Sequence, residues 1–266
     1  MSSGAEELVE VVYKRFEVLQ LVCEDSPEKR ALVESVSKSR PTVDRAIREL
    51  ESHGLVHRES GVCKPTYTGR VAYDLYSGLA ESFATLEDTR GELLSLPRDA
   101  DLDEVVFQGG TVLEPPEHAP YTRIEPMYED VSSCDELVGV TRVVLPPYID
   151  RIIEYGARDV ADTELVVNTD ILDVLLENQQ DRTLDCIESG NTIYTAERLP
   201  NYCLFLVDDT ILYIALYSGS NHLSTVIRNT DSQAVQWAEN KISKIKSEAS
   251  PVKRTDHERQ LERHSP

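Results

Sequence analysis

Lysine is the scarce cation in this sequence: 8 residues of 266, against 19 arginines. Together they face 48 Asp and Glu, leaving a net charge of −21. So acidic a surface repels itself in the compact state, and concentrated salt relieves that by shortening the Debye length to about 3 Å at 1 M. The charge reads first as adaptation to a salty solvent, with a basic partner as the competing explanation. Apolar residues never run to the roughly 20 that a membrane-spanning helix needs. The opening MSSGAEELVEVVYKRF lacks the basic-then-apolar order of a secretory signal. A soluble, cytoplasmic protein with no membrane partner is expected. The five cysteines (Cys23, Cys63, Cys134, Cys186 and Cys203) are odd in number, far apart and never spaced CxxC. That argues against a disulfide framework or a structural zinc site and for free buried thiols in a reducing compartment.

Catalytic signatures are missing as well. There is no Gly-rich phosphate loop, no GxSxG elbow and no HExxH. Asp99, Asp101, Asp103 and Glu104 have the acid spacing that opens a calcium loop, but the Gly and Glu such a loop needs further on are absent. An acidic linker is the better reading. Asp208 and Asp209 offer a carboxylate pair for acid–base work, which a polar hairpin turn explains more cheaply. His222 reads as a surface turn residue. Neither an enzyme nor a cofactor or metal is expected.

What is present is an uneven charge. Residues 1–70 hold 11 Lys and Arg against 12 Asp and Glu, net −1, and the remainder is net −20. Within the first part, residues 36–70 are net +3. Phosphate contacts dominate nucleic-acid affinity, so a basic segment in an acidic chain points to a polyanion. The alternative is a chance fluctuation in a short window.

The local pattern sharpens this. Leu8, Val11, Val12, Phe16, Leu19 and Val22 fall on one helix face. Ser26-Pro27 is a helix start, followed by a short helix with Ala31, Leu32 and Val36 inward. Ser39 can cap a third helix to His53, with Val43, Ala46, Ile47 and Leu50 inward and Gly54 as its left-handed stop. Residues 55–58 and 64–67 read as strands around Glu59-Ser60-Gly61. Three helices and a hairpin make the winged helix-turn-helix plan, whose third helix enters the major groove. Lys38, Ser39, Arg40, Thr42 and Arg45 fall at its start. Arg pairs bidentately with guanine, and the Thr methyl meets that of thymine. Arg48 comes one turn later and suits a phosphate. Arg58 and Lys64 flank the wing turn and suit backbone or minor groove. For each cation singly, a solvated surface residue is the competing reading.

A further helical pattern runs from Gly69 to Leu96 with Val71, Leu75, Leu79, Phe83 and Leu86. Two half-sites on DNA favour a homodimer, and this helix is its candidate interface; a connecting helix on the protein's own core is the alternative. Beyond Pro97 the grammar is α/β. Strands are expected at 104–107, 137–145, 164–168, 191–196, 202–207, 211–217 and 223–228. Helices are expected from 147 to 155, 169 to 177 and 231 to 246. The expected organisation is a winged helix-turn-helix over 1–70, a linker or dimerisation helix over 71–98, an α/β domain over 99–249 and a disordered tail over 250–266.

The run Ser39-Arg-Pro-Thr-Val-Asp-Arg-Ala-Ile-Arg-Glu-Leu-Glu51 with Gly54-Leu-Val56 resembles the recognition helix of archaeal and bacterial winged-helix repressors, and Thr68-Gly69-Arg70 resembles the exit from their wing. Four later stretches are similar to the effector domain of archaeal regulators of the FilR1 and TrmB-like type. These are Val144–Tyr148, Glu164–Asp170, Glu197–Pro200 before Asp208-Asp209, and Ser232–Ala238. With the acidic composition, a haloarchaeal member is implied. So are promoter DNA as partner and an effector domain that senses a metabolite. The resemblance also implies a phospholipase D-like fold used for binding. The His-x-Lys pair of that chemistry is absent, since no histidine here has Lys two positions on. A ligand, by analogy with other α/β sheets, would sit near Tyr148, Asn168, Thr169, Asp170 and Tyr217. The reading is a sequence-specific regulator, with repression as the expected sign. A protein-interaction adaptor built on the winged helix is the alternative, and a hydrolase built on the α/β domain the third.

Overall fold

The computed structural model describes residues 3–25, 35–36, 38–113, 124–143, 162–188, 191–217 and 223–252. They fall in two compact units, Met1–Glu81 and Ser82–Pro266.

In the first unit, α1 (Ser3–Asp25) buries Val11, Val12, Val18, Leu19 and Val22 against α2 (Arg40–Ser52). The inward stripe of α2 is Val43, Ala46, Ile47 and Leu50, all buried, at the three- and four-residue spacing of one helix face. Its end is a full Schellman motif. Gly54 has φ +67°, its N–H bonds Glu51 O, and Leu55 N–H bonds Leu50 O. Strands β1 (Val56–Glu59) and β2 (Val62–Pro65) pair antiparallel. Both turn residues, Ser60 and Gly61, have positive φ, as the two-residue hairpin that suits strand twist requires. Ala31, Leu32 and the helix start at Ser26-Pro27 lie outside the described residues, while Val36 is buried.

The second strand does not reach Tyr67, as the sequence suggested. Tyr67 opens α3 (Tyr67–Asp88). Thr66 is the reason: its hydroxyl oxygen accepts Gly69 N–H at 2.9 Å, the N-cap bond, and donates to Gly54 O at 2.6 Å. The boundary between the two units falls within α3. This helix stops at Asp88 rather than continuing to Leu96. Buried Thr89 donates its hydroxyl back to Thr85 O, and only a short turn of helix, α4 (Arg90–Leu93), follows.

Among the described residues, the second unit is built on a mixed eight-stranded sheet. Its strands are β3 (Thr111–Val112), β4 (Glu136–Thr141), β5 (Asp162–Val167), β6 (Thr192–Thr195), β7 (Cys203–Val207), β8 (Ile211–Tyr217), β9 (Leu223–Asn229) and β10 (Ser250–Pro251). They lie in the order β10-β6-β5-β4-β7-β8-β9-β3. The pairs β4–β5 and β5–β6 are parallel and the rest antiparallel. All five residues of β7 are buried, as a central strand covered on both faces must be. One face carries α5 (Glu125–Ser132) through Met127, Tyr128 and Val131, and the other α7 (Ser232–Ser247) through Ala234, Val235, Ala238 and Ile242. Helix α6 (Thr169–Glu188) joins β5 to β6.

Three expectations need correction. Residues 104–107 form no strand: Asp103 accepts Val105 N–H and winds Glu104–Val106 into a 3-10 turn. The helix at 169 runs on past Glu177 to Glu188. The tail does not lose order at 250, because Ser250 and Pro251 pair with β6 and Val252 N–H bonds Ile193 O. Pro251 fits there because an edge strand tolerates a missing donor. The helix expected over 147–155 lies outside the described residues. Asp208 and Asp209 are a hairpin turn with φ +49° and +51°, and Asp208 Oδ1 accepts the N–H groups of Asp135 and Glu136.

Candidate nucleic-acid interface

The outward side of α2 begins with Ser39, Arg40, Thr42, Arg45 and Arg48, all exposed. Ser39 has the extended backbone of an N-cap, but its hydroxyl bonds the Thr42 hydroxyl at 2.8 Å instead of a backbone N–H. Arg48 Nε donates to Asp44 O. Arg40 and Arg45 have no ion-pair or hydrogen-bond partner for their guanidinium groups among the described residues. Two free guanidinium groups and a threonine on the first turns of one helix make a surface suited to base edges.

That helix is braced from two sides. Arg15 of α1 reaches Glu49 with Nε at 2.9 Å and Nη2 at 2.7 Å, in a half-buried setting. Arg58 of the wing reaches Glu51 at 2.9 Å. His53, at the C-terminal end, bonds Glu49 O through Nδ1 and Glu7 through Nε2; the first bond, more than the second, raises its pKa above the ordinary 6.5. A third brace is steric. A Cβ on Gly69 would lie 1.9 Å from Leu55 O, so α3 can approach the end of α2 this closely only through glycine.

Strand register separates Arg58 from Lys64. Arg58 lies opposite Cys63, and Val56 opposite Pro65; Val56, Cys63 and Pro65 are buried, so this is the inner face of the hairpin. His57, Lys64, Glu59 and Val62 share the other face. Arg58 is thus a strut to α2, while Lys64 points outward and pairs with Glu59 at 2.5 Å. Lys38 pairs with Glu17 at 2.5 Å. Sequence reasoning missed Arg15, Glu49 and Glu51, which no local spacing links. It also missed Thr66, although Thr66-x-x-Gly69 is itself a capping signal.

The suggested ligand residues are scattered. Asn168 Oδ1 accepts Ile171 N–H and so caps α6. Thr169 and Asp170 are exposed in the first turn. Tyr217 is buried at the end of β8, and burial pushes its phenol well above the ordinary range. Strands β4 and β7 separate it from Asn168, about 14 Å at ordinary strand spacing. Tyr148 and His222 lie outside the described residues. Among the described residues no three His, Cys, Asp or Glu side chains are placed to hold a metal ion, and no helix is long and apolar enough to cross a membrane. Cys23, Cys63, Cys134 and Cys203 form no disulfide among the described residues.

Three solved structures show loose likenesses. TrmBL2, described as an archaeal chromatin protein with a novel mode of DNA binding, matches with a TM-score of 0.42 and 15% identity over 94% of this chain and 100% of its own. NucT from Helicobacter pylori matches at 0.41 and 12%, over 54% and 98%. Nuc from Salmonella typhimurium, a phospholipase D family member, matches at 0.39 and 10%, over 54% and 97%. Likenesses this loose carry no argument about activity. None of the curated proteins compared matches the chain. The family models match in two separate pieces: residues 3–88 match the HVO_A0261 N-terminal domain, and residues 120–248 match the middle domain of the methanogenesis regulatory protein FilR1. The chain is therefore similar, over these two segments, to an HVO_A0261 N-terminal domain followed by the middle domain of a regulatory protein.

Proposed function

We propose that this chain is a sequence-specific, DNA-binding transcriptional regulator and not an enzyme. Helix α2 reads the major groove through Arg40, Thr42 and Arg45, and the wing lies along the backbone. The single observation that carries this is the pair of exposed arginines, free among the described residues, on the first turns of a helix that Arg15, Arg58 and Gly69 hold in place. Rigid support is what a reading surface needs, since a loose helix loses the geometry of bidentate contacts. The regulatory family matched by residues 120–248 supports the same reading.

The active form is a homodimer. Leu75, Leu79 and Phe83 are 71%, 50% and 61% exposed on successive turns of α3, a stripe that one copy leaves wet. The α/β unit senses a metabolite, and the sign of regulation is repression. The test is a genome-wide pull-down of the tagged chain from cells at their native salt, beside Arg40→Ala/Arg45→Ala. Sharp promoter peaks lost in the variant are expected. Equal peaks in both, or none in either, contradict the proposal.

A further inference from the structure

The cations on the proposed DNA face are not equivalent. Arg40 and Arg45 are free among the described residues. Arg15 and Arg58 hold α2 in place. Lys38 and Lys64 are different again: each is held at 2.5 Å by a carboxylate, Glu17 and Glu59, and both pairs are largely exposed, with side-chain accessibilities of 45% and 47%, and 45% and 60%. The Lys64–Glu59 pair stays within the hairpin, and the Lys38–Glu17 pair joins α1 to the residue before the α2 N-cap through two flexible, exposed side chains. Lys64 and Glu59 sit diagonally on the outer face of one hairpin, and Lys38 lies just before α2. Exposed pairs add little to stability, so stability does not explain them.

Counterion accounting does. A bare lysine that meets a phosphate releases a cation condensed on the DNA. A lysine already paired with Glu forms a neutral unit. When it turns to phosphate it leaves a carboxylate beside the duplex, which gathers a cation back. The net release, and the gain in affinity, nearly vanish. Resting on the DNA-binding reading above, we infer that Glu17 and Glu59 set specificity: they hold Lys38 and Lys64 back from phosphate. Sequence-independent attraction is thereby suppressed, and affinity depends on what Arg40, Thr42 and Arg45 find in the groove. The Lys64 ammonium holds the Glu59 carboxyl below its ordinary value, in keeping with a formed pair.

The experiment uses the full chain and a labelled 30-base-pair duplex of mixed sequence, with affinity measured across a KCl series. Glu17→Gln/Glu59→Gln should steepen the plot of log K against log salt by roughly 0.9 for each lysine freed. It should also bind the duplex about tenfold more tightly at the low-salt end. Adding Lys38→Gln/Lys64→Gln should cancel the gain, while the same lysine changes alone should alter wild-type binding little. Glu59→Gln by itself, at an exposed hairpin position, should give half the change in slope. If wild type binds the duplex and the Glu variants leave slope and affinity unchanged, the inference falls and the DNA reading stands. If no form binds at any salt, both fall.

Discussion

The two units differ in how far they lean on charge. In Met1–Glu81 the ion pairs have assignments. Arg15–Glu49 and Arg58–Glu51 position one helix, Lys38–Glu17 and Lys64–Glu59 stand at its flanks, and Arg40 and Arg45 are unpaired among the described residues. In Ser82–Pro266 the fold depends on apolar strands. Leu204, Leu212, Ile214 and Leu216 are fully buried, and the excess of carboxylates is carried elsewhere, in turns such as Asp208-Asp209 and at caps such as Asp231. A sheet with both faces covered is held mainly by apolar contacts, with Arg228–Asp130, Lys241–Asp101 and Lys246–Glu164 at its margins. A short helical unit with a small core uses charge to fix the angle of α2, the helix proposed to face DNA.

The contrast can be broken most forcefully in the sheet. Leu204→Ala in β7 should cost about 3 kcal/mol, the usual loss for a buried leucine, seen as a lower unfolding temperature in calorimetry. No change would mean that the central strands are not the source of stability. Next is Gly69→Ala in the first unit. Its Cβ would meet Leu55 O at 1.9 Å, so the helix must shift, at about 2 kcal/mol. Circular dichroism melts should show that loss, and a neutral result would dissolve the steric brace.

Smaller effects concern the ion pairs. A double-mutant cycle on Arg15→Ala and Glu49→Ala should give about 1 kcal/mol of coupling, at the upper end for pairs that water still reaches. A coupling of zero would place the fixing of α2 in its apolar stripe alone. The smallest effect is on pH. His53 has a raised pKa in the fold, so its contribution is complete below its ordinary value of 6.5 and fades as pH rises through the higher folded value. His53→Gln should flatten the fall in melting temperature just above pH 6.5. An identical pH profile would count against that brace.

How much of this could be read in advance depended on period. The α2 stripe and the start of α7 followed from three- to four-residue spacings, and the limits of β8 from a short apolar run, that one short window contains. What failed needed information from outside the window. Arg58 and Lys64 look alike in sequence, and only the register with Cys63 and Pro65 puts them on opposite faces of the hairpin. Arg15 and Glu49 are 34 residues apart. Residues 104–107 have the composition of a strand, but Asp103 caps them into a turn. Ser250 and Pro251 have no strand signal of their own and are ordered because β6 offers an open edge. The reading residues at the start of α2 were legible as exposed, off-stripe cations. That Arg40 and Arg45 alone are unpaired among the described residues of that set was not.

The most direct measurement compares discrimination instead of affinity alone. Wild type and Arg40→Ala/Arg45→Ala would be titrated against the duplex enriched from promoter peaks and against the same duplex with its site scrambled. The account predicts that the variant loses most of the preference for the intact site, about 10- to 100-fold per arginine that pairs with guanine, while binding to the scrambled duplex changes far less. An equal fall on both duplexes would make the two arginines general phosphate contacts and contradict the reading of α2.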